Sequence, residues 1–372
     1  DIERPLDPHL AADILSLGHV YREHRDLPVA MKRAVALERT HAFFLGQSAQ
    51  RGEATLRLAA EGLTTAIIVD QERTRCAVNV RQGNVYATLE EARTALETNP
   101  SHLEALSVLA AAHFLLGDTA ELREVRDRIH SLNPAYPDVY TVMAEHAAAH
   151  HRYASAVELA RQAVSLDPTS WRAQGVLGVN QLRTGEMEAG RESLERAFAG
   201  DPYNPWYKNT LDLLDTFVHY RRFETEHFEI FLHEREAELL APYAMEAAEE
   251  AYAGLRRRYG IDPPTPIRLE IFPSHSDFSV RTLGIPGLGA LGVSFGSILV
   301  MDSPSARDAG EFNWASTLWH EVAHAFHLAM TAHQVPRWFT EGLAEYTSQG
   351  WDTEAEMIMR DLTIADAVVP LE

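Results

Sequence analysis

The sequence predicts a two-part protein, an all-α solenoid of helical repeats followed by an α+β domain. Three observations predict it. Prolines recur every 34 residues through the middle of the chain. The texture changes near Phe223, where polar and apolar residues begin to alternate. Further on, one helical stretch carries two histidines four residues apart, His320 and His324. The expected boundaries are a helical N-terminal segment over 1–68, repeats with a capping helix over 69–222, and the mixed domain over 223–372.

Composition bounds the rest. The chain has 372 residues, 46% apolar and 23% charged, enough for two or three separately cored units. Its formal net charge is -21, from 33 basic against 54 acidic side chains. That excludes the basic footprint of a nucleic-acid partner and disfavours anionic membranes. No apolar run reaches the length needed to span a bilayer. Cys76 is the only cysteine, so no disulfide framework and no cysteine zinc site is expected. A lone cysteine suits the cytosol and a thiol-poor periplasm alike, and the reading leans to a periplasmic or secreted protein. The chain starts at Asp1 without an initiating Met, and the expectation is a processed or trimmed N-terminus.

The repeat rests on several positions sharing one period. Pro100, Pro134, Pro168 and Pro202 each follow Asn or Asp. Gly83, Gly117, His151 and Gly185 fall where a helix must turn. Cys76, Ala110, Ala144 and Gly178 are small, and Ala95, Ile129, Ala163 and Ala197 are small or aliphatic. Two helices approach closely only where small residues meet, and a proline ends the second helix of each pair. This pattern resembles the tetratricopeptide repeat. The repeat closing at Pro168 fits best, and Leu122 and Arg126 make the preceding one weaker. Cys76 takes the small slot of its repeat, which marks it as a packing thiol rather than a reactive one. Residues 11–24 and 28–44 show helical spacing without a clear repeat register, and 206–221 reads as a capping helix.

The second part is read element by element. Residues 226–233 alternate as a half-buried strand. A long helix over 239–259 stops at Gly260 and Pro263-Pro264. A strand follows at 267–272, a short helix at 274–283, and two short strands around Gly296 within 290–301. Asn313 caps a helix to Met330, and Pro336 opens another.

The helix after Asn313 contains His320-Glu321-Val322-Ala323-His324. On a helix, residues four apart lie about 40° apart in azimuth and about 6 Å along the axis. Both imidazoles can then reach one metal at about 2.0–2.1 Å. Glu321, about 100° round from His320, points beside that metal, where a general base belongs. The run Trp338-Phe339-Thr340-Glu341-Gly342-Leu343-Ala344-Glu345-Tyr346 supplies Glu341 as a third ligand. Two histidines and a glutamate leave a coordination position open, as catalytic zinc sites do. Glu345, a turn further on, is placed to orient a ligating imidazole. The bland alternatives are ordinary: His327 as a buried group on the same stripe, His333 as a solvated loop residue, and Arg256-Arg257-Arg258 as cations at a helix C-terminus.

The histidine pair, Glu321 and the Trp338–Tyr346 run together resemble the gluzincin zinc metallopeptidases, and most closely the short peptidase MA-like domains attached to tetratricopeptide repeats. The resemblance covers roughly residues 223–350. It implies a small mixed sheet above two active-site helices, one Zn2+ per chain, and an edge strand within 290–301 that pairs with an extended peptide substrate. One departure stands out. In larger gluzincins a Tyr or His beyond the third ligand stabilises the oxyanion, whereas 347–372 contains neither. Tyr346 is read as core, and the donor is left open between the edge strand and residues outside this sequence. The expected function is peptide-bond hydrolysis by a zinc-activated water with Glu321 as base, the repeats recruiting a protein substrate or partner. The alternative is a repeat scaffold whose peptidase-like domain is zinc-stabilised but catalytically weak or inactive.

Overall fold

The computed structural model describes residues 85–308, 312–335, 337–348 and 353–365. The expectations for 1–68, for the repeat positions Cys76 and Gly83, and for Pro336 lie outside the described residues. Two compact units divide between Leu211 and Asp212.

The first unit is helical: α1 (Val85–Thr98), α2 (Leu103–Leu116), α3 (Thr119–Leu132), α4 (Asp138–Ala149), α5 (Tyr153–Leu166), α6 (Trp171–Arg183), α7 (Met187–Gly200) and the start of α8 (Pro205–Asp215). It has the 34-residue helix-turn-helix build of tetratricopeptide repeats. Gly117, His151 and Gly185 share one backbone state, with φ of 77°, 60° and 88°. The period is therefore a period of left-handed turns between paired helices, and His151 adopts it despite its side chain. Each helix crossing is closed by the small slot. Ala110 and Ala144 are fully buried, and a Cβ on Gly178 would lie 2.8 Å from the Gly190 carbonyl. Ile129, Ala163 and Ala197 complete the core on the second helices. Between repeats, Arg172 makes a two-pronged contact with Glu145 at 3.1 and 2.8 Å and reaches Asp138 at 3.3 Å.

The expected capping helix ends earlier than its pattern suggested. α8 stops at Asp215, a single 3-10 turn covers Thr216–His219, and Tyr220–Glu224 is a strand, β1. The expected boundary at 222/223 thus cuts a strand. Beta-branched residues are absent from Tyr220-Arg221-Arg222-Phe223-Glu224, and its pairing with β2 (Phe228–His233) makes it extended.

The second unit adds α9 (Glu234–Tyr259), β3 (Ile267–Phe272), α10 (His275–Leu283), β4 (Gly292–Ser294), β5 (Ile298–Asp302), α11 (Trp314–Met330), α12 (Arg337–Thr347) and α13 (Thr353–Ile364). The sheet order is β1-β2-β3-β5-β4. The central β2, β3 and β5 run parallel, and β1 and β4 are antiparallel edges. α9 starts five residues before the expected Leu239, because the His233 ring caps it by accepting from Arg235 N–H, and it ends at Gly260 with φ 68°. Its stripe Ala237, Ala241, Ala244, Ala248 and Ala251 is buried in one core with the strand residues Ile230, Leu269 and Ile271. Gly254 carries the same logic further, since the Trp319 ring of α11 occupies the space a Cβ would need. Among the described residues no helix is long and apolar enough to cross a membrane.

As an edge strand, β4 has one row of amides facing the sheet and one facing away. Asp302 N–H donates to Leu291 O at 2.9 Å, and Phe295 N–H donates to Ile298 O at 2.8 Å. Antiparallel pairs alternate, so Leu291, Val293 and Phe295 turn their amides to β5. Gly292 and Ser294 turn theirs to the outer edge.

Candidate metal centre

α11 is bound to the unit by Leu318, Trp319, Val322 and Phe326, all in the core. Its cap is Asn313, whose side chain accepts from Ser316 N–H. With that face buried, His320 and His324 are carried towards α12, and Glu321 towards β4. Phe339 and Ala344 bury the inner face of α12 and bring Glu341 up to the two imidazoles.

Three donor atoms meet. His320 Nε2 and His324 Nε2 are 3.0 Å apart, and Glu341 Oε2 lies 3.3 Å from the first and 3.4 Å from the second. Among the described residues this is the one cluster of three or more His, Cys, Asp or Glu donors suited to a metal. Zinc bonds of about 2.0–2.1 Å at tetrahedral angles place ligand atoms about 3.3–3.4 Å apart. The donor set is therefore of the right kind and close to the right size for that ion. The outer nitrogens are also occupied. His324 Nδ1 is 2.8 Å from Thr340 Oγ1, and His320 Nδ1 is 3.3 Å from a Glu345 carboxylate oxygen. Such outer contacts fix which nitrogen of each ring faces inward.

Charge follows from this packing. Burial lowers the affinity of His320 for a proton, but Glu341 and Glu345 outweigh it and push its pKa up to about 10. Burial opposes ionisation of Glu341 too, yet the two histidines hold its carboxyl far below the usual range. Glu321 goes the other way, raised chiefly by burial. Its carboxylate is almost wholly enclosed, and Oε2 has no hydrogen-bond partner. A Cβ built on Gly292 would fall 2.5 Å from Glu321 Oε1, so the edge strand passes directly over this side chain.

The structure thus brings together His320, His324 and Glu341, with Glu321 and Glu345 beside them. Tyr346 is a correction. It is 54% exposed, not core, and Arg258 lies over its ring at 4.7 Å. Five residues from Glu341 on a helix turns it to the far side, where Leu343 and Ala344 do not carry it inward. His333 is half-buried with its ring against Gly296 in the β4–β5 turn, at φ 60°. Two further residues of the site, Gly292 and Thr340, carry no assignment from the sequence. Thr340 could have been suspected from its place directly before Glu341. Gly292 could not, because its neighbour is 29 positions away.

No family model matches the chain, and neither does any curated protein. Solved structures do match. A MamA fragment from Desulfovibrio magneticus is 20% identical, covering 40% of this chain and 84% of that one, at a TM-score of 0.26. A thermophilic TPR protein of Thermus thermophilus is 22% identical over 39% of this chain and 80% of that one, at 0.29. A mutant O-GlcNAc transferase of Thermobaculum terrenum is 14% identical over 77% of this chain and 50% of that one, at 0.26. At these identities and scores the likeness adds nothing to the repeat build already described.

Proposed function

We propose that the second unit is a zinc-dependent peptidase of gluzincin type and that the repeat array presents a protein substrate or partner. The observation that carries it is the set of three donor atoms at tetrahedral-edge spacing beside the enclosed, half-unpartnered carboxylate of Glu321. His320, His324 and Glu341 would hold the ion. Zinc, when bound, supplies a Lewis acid for the scissile carbonyl and acidifies water towards neutral pH.

The chain's own groups do the rest. Glu345 and Thr340 orient the two rings. The outward amides of Gly292 and Ser294 pair with an extended peptide, by backbone bonds that select shape over sequence. Gly292, having no side chain, lets that peptide's carbonyl come close to Glu321. Glu321 takes the proton of the attacking water and passes it to the leaving amine. Glu321→Gln keeps the shape and removes the base. It should retain the metal and lose about 10²–10⁴-fold in cleavage of an unfolded protein. Equal cleavage by wild type and variant would remove Glu321 from the chemistry.

A second reading is supported by Tyr346, which points outward from the site and offers it no oxyanion donor. The array then does the work as a protein-interaction scaffold, and the second unit is a metal-stabilised module. This reading asks less of the molecule, since it needs only the helical-repeat surface. Zinc-loaded protein that cleaves no unfolded substrate, while loss of the repeats abolishes partner binding, would favour it.

A further inference from the structure

Behind His324 lies a buried polar chain that hydrolysis itself does not require. His324 Nδ1 meets Thr340 Oγ1 at 2.8 Å, Thr340 Oγ1 meets His327 Nδ1 at 3.1 Å, and His327 Nε2 meets Tyr259 Oη at 2.7 Å. Thr340 and His327 are each 1% exposed and Tyr259 5%. At the far end the Tyr259 ring packs against Phe326, and its hydroxyl also meets the buried Thr347. An imidazole enclosed like this is costly unless both nitrogens are paired, and here both are.

The chain has a direction. Each neutral imidazole has one donor and one acceptor nitrogen, and a hydroxyl donates once. If His324 Nε2 presents a lone pair to an ion, His324 Nδ1–H must donate to Thr340. The Thr340 hydroxyl then donates to His327 Nδ1, and His327 Nε2–H donates to Tyr259. In the reverse order Tyr259 donates to His327 Nε2, His327 Nδ1–H to Thr340, and Thr340 to His324 Nδ1. That order places the His324 proton on Nε2, where it blocks ligation. With the single Thr340 proton given to one of the two rings, the state of one ring fixes the other three groups.

We infer that Thr340, His327 and Tyr259 form a positioning relay that holds His324 in its metal-binding tautomer, Tyr259 acting from helix α9 through two intervening side chains. This rests on the metal centre proposed above. Ion binding and the polarity of the relay are one equilibrium. A residue that stabilises the forward order tightens the ion, and one removed from the relay loosens it.

The test is zinc affinity by chelator competition, with the visible spectrum of the Co2+-substituted full chain as a second readout. Thr340→Val keeps the shape and deletes the hydroxyl, and it should weaken zinc binding by about 10–100-fold, the usual effect of losing an outer partner. Thr340→Ser should restore it. Tyr259→Phe keeps the ring in place and should weaken binding by less, with a shifted Co2+ spectrum. It also decides the matter if Thr340→Val does not fold. A purely structural role predicts lower thermal stability with unchanged affinity and spectrum. Stoichiometric zinc bound equally tightly by wild type and both folded variants would overturn the relay and leave the metal centre standing. No zinc in the wild type would overturn both.

Discussion

Gly292→Ala separates stability from catalysis. The added Cβ would sit 2.5 Å from Glu321 Oε1, 2.6 Å from its Cγ and 2.8 Å from its Cδ. Ordinary carbon contacts lie at about 3.5–4.0 Å, so about 1 Å must be found. The obstructing atoms run from Cγ to the carboxylate of one side chain, not a backbone, and Gly292 is not in a left-handed conformation. The fold can therefore yield, with a stability cost of about 1–3 kcal/mol because the side chain is enclosed. What yields is the Glu321 carboxylate, and a displacement of about 1 Å at a reacting group costs on the order of 10²-fold in rate. Zinc content should not change, since the ligands stand on α11 and α12. Gly289→Ala is the control, because a Cβ there meets nothing within 4 Å. The assay is kcat/KM on an unfolded protein substrate, with metal content and denaturant midpoint measured on the same samples. Gly292→Ala protein that is folded and zinc-loaded and retains wild-type kcat/KM would refute the placement of Glu321 under the edge strand.

Other expectations come from single contacts. Glu270 is buried between Arg281 and Arg268, with Nε–O distances of 2.6 Å to each. Arg281→Met should cost up to about 3–5 kcal/mol in denaturant unfolding, because it leaves the buried Glu270 with Arg268 as its remaining counter-charge. Burial alone would raise the Glu270 carboxyl, but the two guanidinium groups outweigh it and hold it below its ordinary value. Its contribution is therefore complete above the unfolded carboxyl's pKa of about 4.3 and is lost as pH falls through the folded value. Arg281→Met should flatten that acid-side loss in a pH series of unfolding midpoints. In the array, Gly178→Ala drives a Cβ to 2.8 Å from the Gly190 carbonyl and 3.0 Å from Leu194 N, where backbone cannot give way. The expected loss is about 1–3 kcal/mol by thermal melting. Removal of metal by a chelator should lower the melting point of the wild type, since an ion at about 100 times its Kd contributes about 2.7 kcal/mol. His324→Ala protein should melt at the same temperature with or without chelator.

What the sequence revealed and concealed divides along physical lines. Local rules were legible. Gly117, His151 and Gly185 recur because one turn geometry recurs, and the alternation in 228–233 marks a strand with one face in the core. Asn313 announced the helix that carries the two histidines, and their spacing of four placed both on one face. Through-space relations were not legible. β1 is extended because β2 pairs with it, and nothing in Tyr220–Glu224 alone opposes a helix. Tyr346, five residues after Glu341, was expected to turn from the site into the core, but it lies exposed under Arg258. α13 carried no repeat or cap that singled it out. The contacts of Gly292 with Glu321 and of Tyr259 with His327 join residues 29 and 68 positions apart, and only tertiary packing creates them.

The central claim, a zinc centre at His320, His324 and Glu341, is tested most directly by elemental analysis of the purified chain and of Glu341→Ala. The account predicts about one zinc per wild-type chain, and a loss of most of it in a Glu341→Ala protein that remains folded by circular dichroism. Wild-type protein that takes up no zinc after reconstitution, or a variant that holds it as fully as the wild type, would contradict it.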